Sequence, residues 1–359
     1  MQLKRCYYHC AECHHGLTPW DAELQLDQTA ALTPAAREVT CLAGVQSSFA
    51  QASERMLTIL CGLRLSESTV ERTTEAAGEQ VSAHLQARQT FGDKRAWQWH
   101  RDAHDRTCAY VSLDATGIRQ QGVNGARAEG RMAYVGMIYN PRESGEPTER
   151  RRESTPHEVR YLAGFYELSE LGLQLRKQAS QVGWDDAEQQ IAISDGGVGL
   201  EEFFRQNFPR AECILDFWHA REHLRELSQA WFGESSAEGA KWLDEQCHRL
   251  KHAGGAAVLA ELESMAVSQR SALVQEMHRR ETQYFRNQVH RMDYPRYLAN
   301  GWQIGSGPVE SSCKTIVGQR LKGGGMRWCE AGSDAVCHLR ALFLSEPSQW
   351  QAYWRRKAA

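Results

Sequence analysis

The chain has 359 residues and 42% hydrophobic content, too long for one small domain and apolar enough for a real core, so two or three domains are expected. Charged residues make up 24% and the formal net charge is −3, which excludes nucleic-acid binding through overall basicity; any such surface must be local. The start, MQLKRCYYHC, has no apolar signal region and no window approaches the ~20 apolar residues of a membrane span, so a cytoplasmic chain without a membrane partner is expected.

Eleven cysteines without a secretory signal read as free thiols or metal ligands rather than a disulfide framework. Only Cys6, Cys10 and Cys13 cluster, with His9, His14, His15 and Gly16 beside them. One CxxC lacks the second ligand pair of a zinc ribbon, so two readings stay open over 1–31: a partial zinc knuckle using Cys6, Cys10 and Cys13, or a cysteine-rich segment that holds no metal.

From Leu32 the pattern is helical. Thr33 and Pro34 predict an N-cap and first turn, a second helix is expected over Phe49–Leu60, and Gly62 makes a turn before Ser66, which caps a third helix over Glu67–Ala77. This is helix-turn-helix grammar, and Arg72 is the candidate DNA contact; because Glu67, Glu71 and Glu75 share that helix, a plain three-helix packing module is the alternative. With the polar stretch 79–107 read as helix and linker, the segment 32–107 forms one unit.

The texture then changes to α/β. Alternation in Ala109–Asp114 predicts a strand with Ala109, Val111 and Leu113 on one face and Asp114 ending it on the other. Strands are expected over Met132–Tyr139, Tyr161–Tyr166, Gln190–Ile193 and Glu212–Leu215, with helices over Leu171–Val182 and Leu200–Asn207. Three early strands followed by alternating helix and strand predict a mixed sheet. Residues 220–300 read as an all-helical insertion, closed by Gly301, Gly305, Gly307 and Pro308, so that 108–219 and 301–345 form the core around it.

Acids at strand ends are candidates for chemistry, since side chains from separate segments meet there without burying charge in the core. Asp114 precedes Ala115-Thr116-Gly117 and Asp195 precedes Gly196-Gly197, glycines that allow a sharp turn and the approach of a bulky ligand. Glu310 falls in the first turn of a helix opened by Gly307 and Pro308. Singly, each reads as a helix cap or a complement to a helix dipole. Together, three carboxylates from separate segments can hold two magnesium or manganese ions roughly 4 Å apart for in-line phosphoryl displacement.

The string NGWQIGSGPVESSCKTIVGQRLKGGGMRW, with SLDATG, ISDGG and LDFWHAREHL, resembles the DDE transposases of bacterial insertion sequences, in particular the ISKra group, which is similar to the Mutator-like superfamily. The resemblance covers the chain from about Leu32 and implies a ribonuclease-H-like core with a helical insertion before the catalytic glutamate. It places the catalytic acids on Asp114, Asp195 and Glu310. It also implies an acid and histidine pair at Asp216 and His219, with His219 near the scissile phosphate. The activity implied is DNA cleavage at element ends and strand transfer to target DNA, by a homo-oligomer in a synaptic complex. Family members open with a full pair of zinc knuckles, whereas this chain starts at what corresponds to the second, so the expectation is either a start inside a longer reading frame or a decayed copy. Lys314, Arg320, Lys322 and Arg327 are candidate phosphate contacts, and Trp302 and Trp328 are candidates either for stacking on an unpaired base or for the core. A non-catalytic DNA-binding descendant of a transposase and a stand-alone metal-dependent nuclease are the alternatives.

Overall fold

The computed structural model describes residues 6–20, 32–122, 126, 128–141 and 158–355. Gly125, in the glycine-rich stretch before the second expected strand, lies outside the described residues. The knuckle forms a small hairpin, β1 (Tyr8–His9) against β2 (Gly16–Leu17). Helix α1 (Pro34–Gln46) starts where expected, with the Thr33 hydroxyl accepting from the Ala36 N–H. Helix α2 covers 49–61 and contains a π-helical stretch, Ala52–Leu57. Helix α3 (Glu67–Gln86) is capped by Ser66 and continues well past the expected Ala77.

Strands β3 (His100–Arg101), β4 (Thr107–Ile118), β5 (Arg131–Asn140), β6 (Glu158–Gly164), β7 (Gln189–Ser194) and β8 (Glu212–Leu215) form one mixed sheet. Its order is β6-β5-β4-β7-β8, with β3 beside the start of β4. Strand β5 runs antiparallel to β4 and β6, while β4, β7 and β8 are parallel. β4 does not end at Asp114: Ala115–Ile118 stay extended because they pair with Arg131–Tyr134 of β5. Only the pairing to β7 stops earlier, at Ser112↔Ile193.

Alternation along the strands separates two apolar layers. Ala109, Val111 and Leu113 face α4 (Leu168–Gln181) and α5 (Leu200–Asn207), through Leu171, Leu175, Phe203 and Phe204. Trp97 and Trp99 join that layer and tie the otherwise largely exposed stretch after α3 to the core. Tyr110, Ile191, Ile193 and Ile214 face the opposite layer.

The insertion comprises α6 (Phe217–Phe232), α7 (Ala237–Ser264), α8 (Ala272–Gln288) and α9 (Tyr294–Ala299). Arg291 and Tyr294 anchor its far end under the strand tips. The Arg291 guanidinium donates to Ser194 Oγ at 2.8 Å and the Tyr294 hydroxyl to the Leu215 carbonyl at 3.0 Å. Helix α10 spans 307–321 and contains a second π-helical stretch, Cys313–Gly318. Helices α11 (Glu330–Leu344) and α12 (Pro347–Arg355) follow.

Helix α3, the third helix of the helix-turn-helix pattern, packs along α11, which also lies on β6. Gly78 of α3 lies directly against the Ala335 backbone, where a side chain would have no room. Val70, Ala77, Val81 and Leu85 are buried in the same clusters as the sheet, leaving Arg72 exposed with its Nε–H donating to the Ser68 carbonyl at 3.1 Å. No helix among the described residues is long and apolar enough to cross a membrane.

Candidate functional site

The parallel register builds the site. β4 and β7 last pair at Ser112↔Ile193, and β7 and β8 at Ser194↔Leu215. Continuing each register puts Asp114 level with Asp195, and Asp195 level with Asp216. Asp114 stands on the face of Tyr110 and Ser112, Asp195 on that of Ile191 and Ile193, and Asp216 on that of Ile214, because side chains two apart share a face. Helix α10, carrying Glu310 in its first turn, packs on this same layer through Val309, Cys313, Ile316 and Val317.

Each acid is held differently. Asp114 Oδ1 accepts from the Ala115 N–H at 2.7 Å, and Oδ2 accepts from the Cys313 thiol at 3.3 Å. Burial raises its pKa, with the charges of Asp195 and Glu310 adding and the two hydrogen bonds opposing. Burial first, then the Asp114 charge, also pushes the Cys313 thiol well up, so it stays protonated and can donate. Asp195 Oδ1 accepts from the Gly197 N–H at 2.9 Å.

Asp216 is only 2% exposed and caps α6, accepting from the Trp218 N–H at 3.1 Å and the His219 N–H at 3.2 Å. Its Oδ1 also accepts from the Ser306 N–H at 3.0 Å, and the Ser306 hydroxyl donates to Glu310 Oε1 at 2.9 Å. Ser306 therefore links Asp216 to Glu310. Burial raises the Asp216 pKa, Ser306 and Trp218 oppose, and the Glu310 charge adds.

Among the described residues, no three His, Cys, Asp or Glu side chains are gathered closely enough to hold one ion between them. A magnesium ion typically takes one or two carboxylates and completes its shell with water and substrate phosphate oxygens. The donor chemistry of Asp114, Asp195 and Glu310 fits such an ion: these are hard oxygens, and their charges mutually oppose ionisation of Asp114. The knuckle hairpin is closed by Cys10 N–H to the His15 carbonyl at 2.9 Å. Hydrogen bonds from Cys13, then Glu12, lower the Cys10 thiol, but Cys6, Cys10 and Cys13 are exposed and not gathered into a three-ligand set.

His219 lies in the first turn of α6, half-buried, its ring 4.9 Å from that of His223. Lys314, Lys322 and Arg327 are exposed, and the Lys322 ammonium bonds the Thr116 hydroxyl, two residues beyond Asp114 on the same strand face. Arg320 is a correction to the expected phosphate track. It is 2% exposed, donates to the Gly44 carbonyl at 2.8 Å, and stacks over Phe49 and Trp328. Trp302 and Trp328 are core residues, their indole N–H groups donating to Asp102 Oδ2 and the Leu321 carbonyl.

A tryptophan near these acids that is open to a ligand is Trp218, 57% exposed, which the sequence reading did not single out. It borders a cleft of about 600 Å³ that also includes Gln303, Ile304, Gly305, Pro308 and Ser311. Its signal lay in the sequence, two residues beyond an acid that ends a strand.

No family model matches the chain, and no curated protein matches it. Among solved structures, the Drosophila P element transposase strand transfer complex shows a weak likeness, with a TM-score of 0.26 and 9% identity over 88% of this chain and 79% of that chain.

Proposed function

We propose that this chain is a DDE-type transposase of the ISKra group, Mutator-like, with a ribonuclease-H-like core. The observation that carries the reading is the parallel register that lines Asp114 and Asp195 up on the sheet face where α10 brings Glu310. The strand order β6-β5-β4-β7-β8, with β5 antiparallel to its neighbours, supports the assignment of the core.

Asp114, Asp195 and Glu310 would hold divalent ions. Such ions supply Lewis acidity to the attacking and leaving oxygens of an in-line displacement. The chain's own residues do the rest. The Cys313 thiol orients Asp114, and the Ser306 hydroxyl, itself fixed by Asp216, orients Glu310. Lys314, Lys322 and Arg327 offer positive charge to the DNA backbone, and Trp218 offers a face to an unpaired base. Water attacks the phosphodiester at the element end and the 3′-hydroxyl leaves with its proton; that hydroxyl then attacks a target phosphodiester, displacing another 3′-hydroxyl. Two such ends are brought together in a homo-oligomer.

The test is a strand-cleavage and strand-joining assay on end-containing DNA with magnesium or manganese. Asp114→Ala, Asp195→Ala and Glu310→Ala are each expected to lose at least 100-fold in cleavage while still binding duplex, the scale of losing charge stabilisation in a transition state. Wild-type rates in any of the three would remove that residue from the site. Cleavage without joining would identify a nuclease, and duplex binding without either step a non-catalytic descendant.

A further inference from the structure

In sequence, Gly196 after Asp195 reads as room for a sharp turn and an incoming ligand, but the space above it is filled by the chain itself. A Cβ on Gly196 would lie 2.5 Å from the Tyr284 hydroxyl oxygen and 2.6 Å from its ring. Tyr284 belongs to α8, in the helical insertion.

Its ring is fixed firmly. It stacks on His223 with centroids 3.6 Å apart and planes at 21°. His223 Nδ1 is 2.6 Å from Glu281 Oε2, and Glu281 is fully buried and also accepts from the Arg280 Nε–H at 2.6 Å. Two helices of the insertion thus aim the ring at the turn after Asp195.

The hydroxyl at the tip is buried and has no hydrogen-bond partner among the described residues. Leaving it so costs about 1–3 kcal/mol, which a phenylalanine of the same shape would avoid. The acids whose charges reach it are Asp195, Asp216 and Glu281, and both Glu281 oxygens are taken by His223 and Arg280. Both oxygens of Asp216 already accept backbone N–H groups. Asp195, whose Oδ1 accepts from the Gly197 N–H, is the remaining acid, and the hydroxyl packs against the residue next to it, Gly196.

We propose that Tyr284 is a positioning residue whose hydroxyl donates to the Asp195 carboxylate, so that the helical insertion sets the orientation of the second acid in the row. The consequence for the reaction rests on the reading of Asp195 as a catalytic acid; the hydrogen bond itself does not.

The experiment separates the two. Urea unfolding of the full chain without metal is measured for wild type, Tyr284→Phe, Asp195→Ala and the double variant. A coupling of about tenfold in the unfolding equilibrium constant is expected, as for a hydrogen bond to a charged group. Additive effects, within twofold, overturn the proposal. Manganese binding, followed by electron paramagnetic resonance, is the second readout. Tyr284→Phe is expected to weaken it about tenfold, the usual scale for losing a partner that orients a metal ligand. Coupled unfolding in a wild-type chain that binds no manganese would keep the Tyr284–Asp195 bond and sink the metal-dependent function. Coupled unfolding with manganese binding unchanged in Tyr284→Phe would sink the claim that the bond sets the orientation of Asp195.

Discussion

Arg340 tests how the π-helical stretch of α10 is held. It lies on α11, 2% exposed, and its Nε–H donates to the Ile316 carbonyl at 2.6 Å. Its terminal nitrogens donate to the Thr315 and Val45 carbonyls. Thr315 and Ile316 lie in the π-helical stretch of α10, where the hydrogen-bond ladder changes step, and Val45 is near the end of α1. Burial pulls the guanidinium down to about 10, which puts the cost of keeping it charged at about 3 kcal/mol. Three bonds from a charged donor, at about 2 kcal/mol each, outweigh that by about 3 kcal/mol. Arg340→Met removes both the charge and these three bonds. With about 2.1 cal/mol/K of unfolding entropy per residue, the melting temperature should fall by about 4 °C. Arg340→Lys keeps the charge but cannot reach three acceptors with one ammonium, and should lose nearly as much. Thermal melts followed by circular dichroism measure both. A melt of Arg340→Met within 1 °C of wild type would refute the reasoning, since the three bonds would then contribute nothing net.

Two further outcomes are expected. Trp218→Ala should weaken binding of end-containing single-stranded or frayed DNA about tenfold, from the ~1–3 kcal/mol of one stacked base, while Trp218→Phe keeps most of the affinity; fluorescence anisotropy measures it, and equal affinities would rule out the stacking role. Glu75, on α3, is pushed up to about 7 by burial first and by the charges of Glu71 and Glu79, against the pull of Arg320. Its folded form therefore holds a proton that the unfolded chain releases near 4.5, so stability declines as pH rises from about 4.5 to about 7. Because the group is about half solvated, the loss is about 1 kcal/mol after screening. Glu75→Gln should match wild type near pH 4.5 and exceed it at pH 8 in urea midpoint; parallel pH curves would show that Glu75 ionises freely.

Local chemistry made much of the fold legible. Thr33 and Ser66 cap helices as their sequence context predicts, and α5 and β8 have the expected bounds. What escaped depends on partners far along the chain. Ala115–Ile118 read as a turn after an acid, yet pairing with β5 keeps them extended. Arg320 sits among exposed cations in sequence, but Gly44, Phe49 and Trp328 surround it in space. Gly196 has the composition of a ligand-binding turn, and only the path of the insertion shows that Tyr284 occupies the space. The two aspartates drew attention as acids after alternating runs, although only Asp195 directly follows a strand end, since β4 continues past Asp114. Asp216 joins their row through a register that alternation alone does not reveal.

The two ends of the helical insertion meet. Phe217 N–H bonds the Ile304 carbonyl at 2.9 Å, and Ser306 N–H returns to Asp216. That two-residue stem fixes where the insertion leaves and rejoins the sheet, and Arg291 and Tyr294 tie its far end to Ser194 and Leu215, so a larger or smaller helical cassette grafted there must keep both anchors. The same stem carries Asp216 and leads into Glu310. A graft that preserved the stem but omitted Tyr284 would keep the acid row and lose the contact that reaches it from outside the sheet.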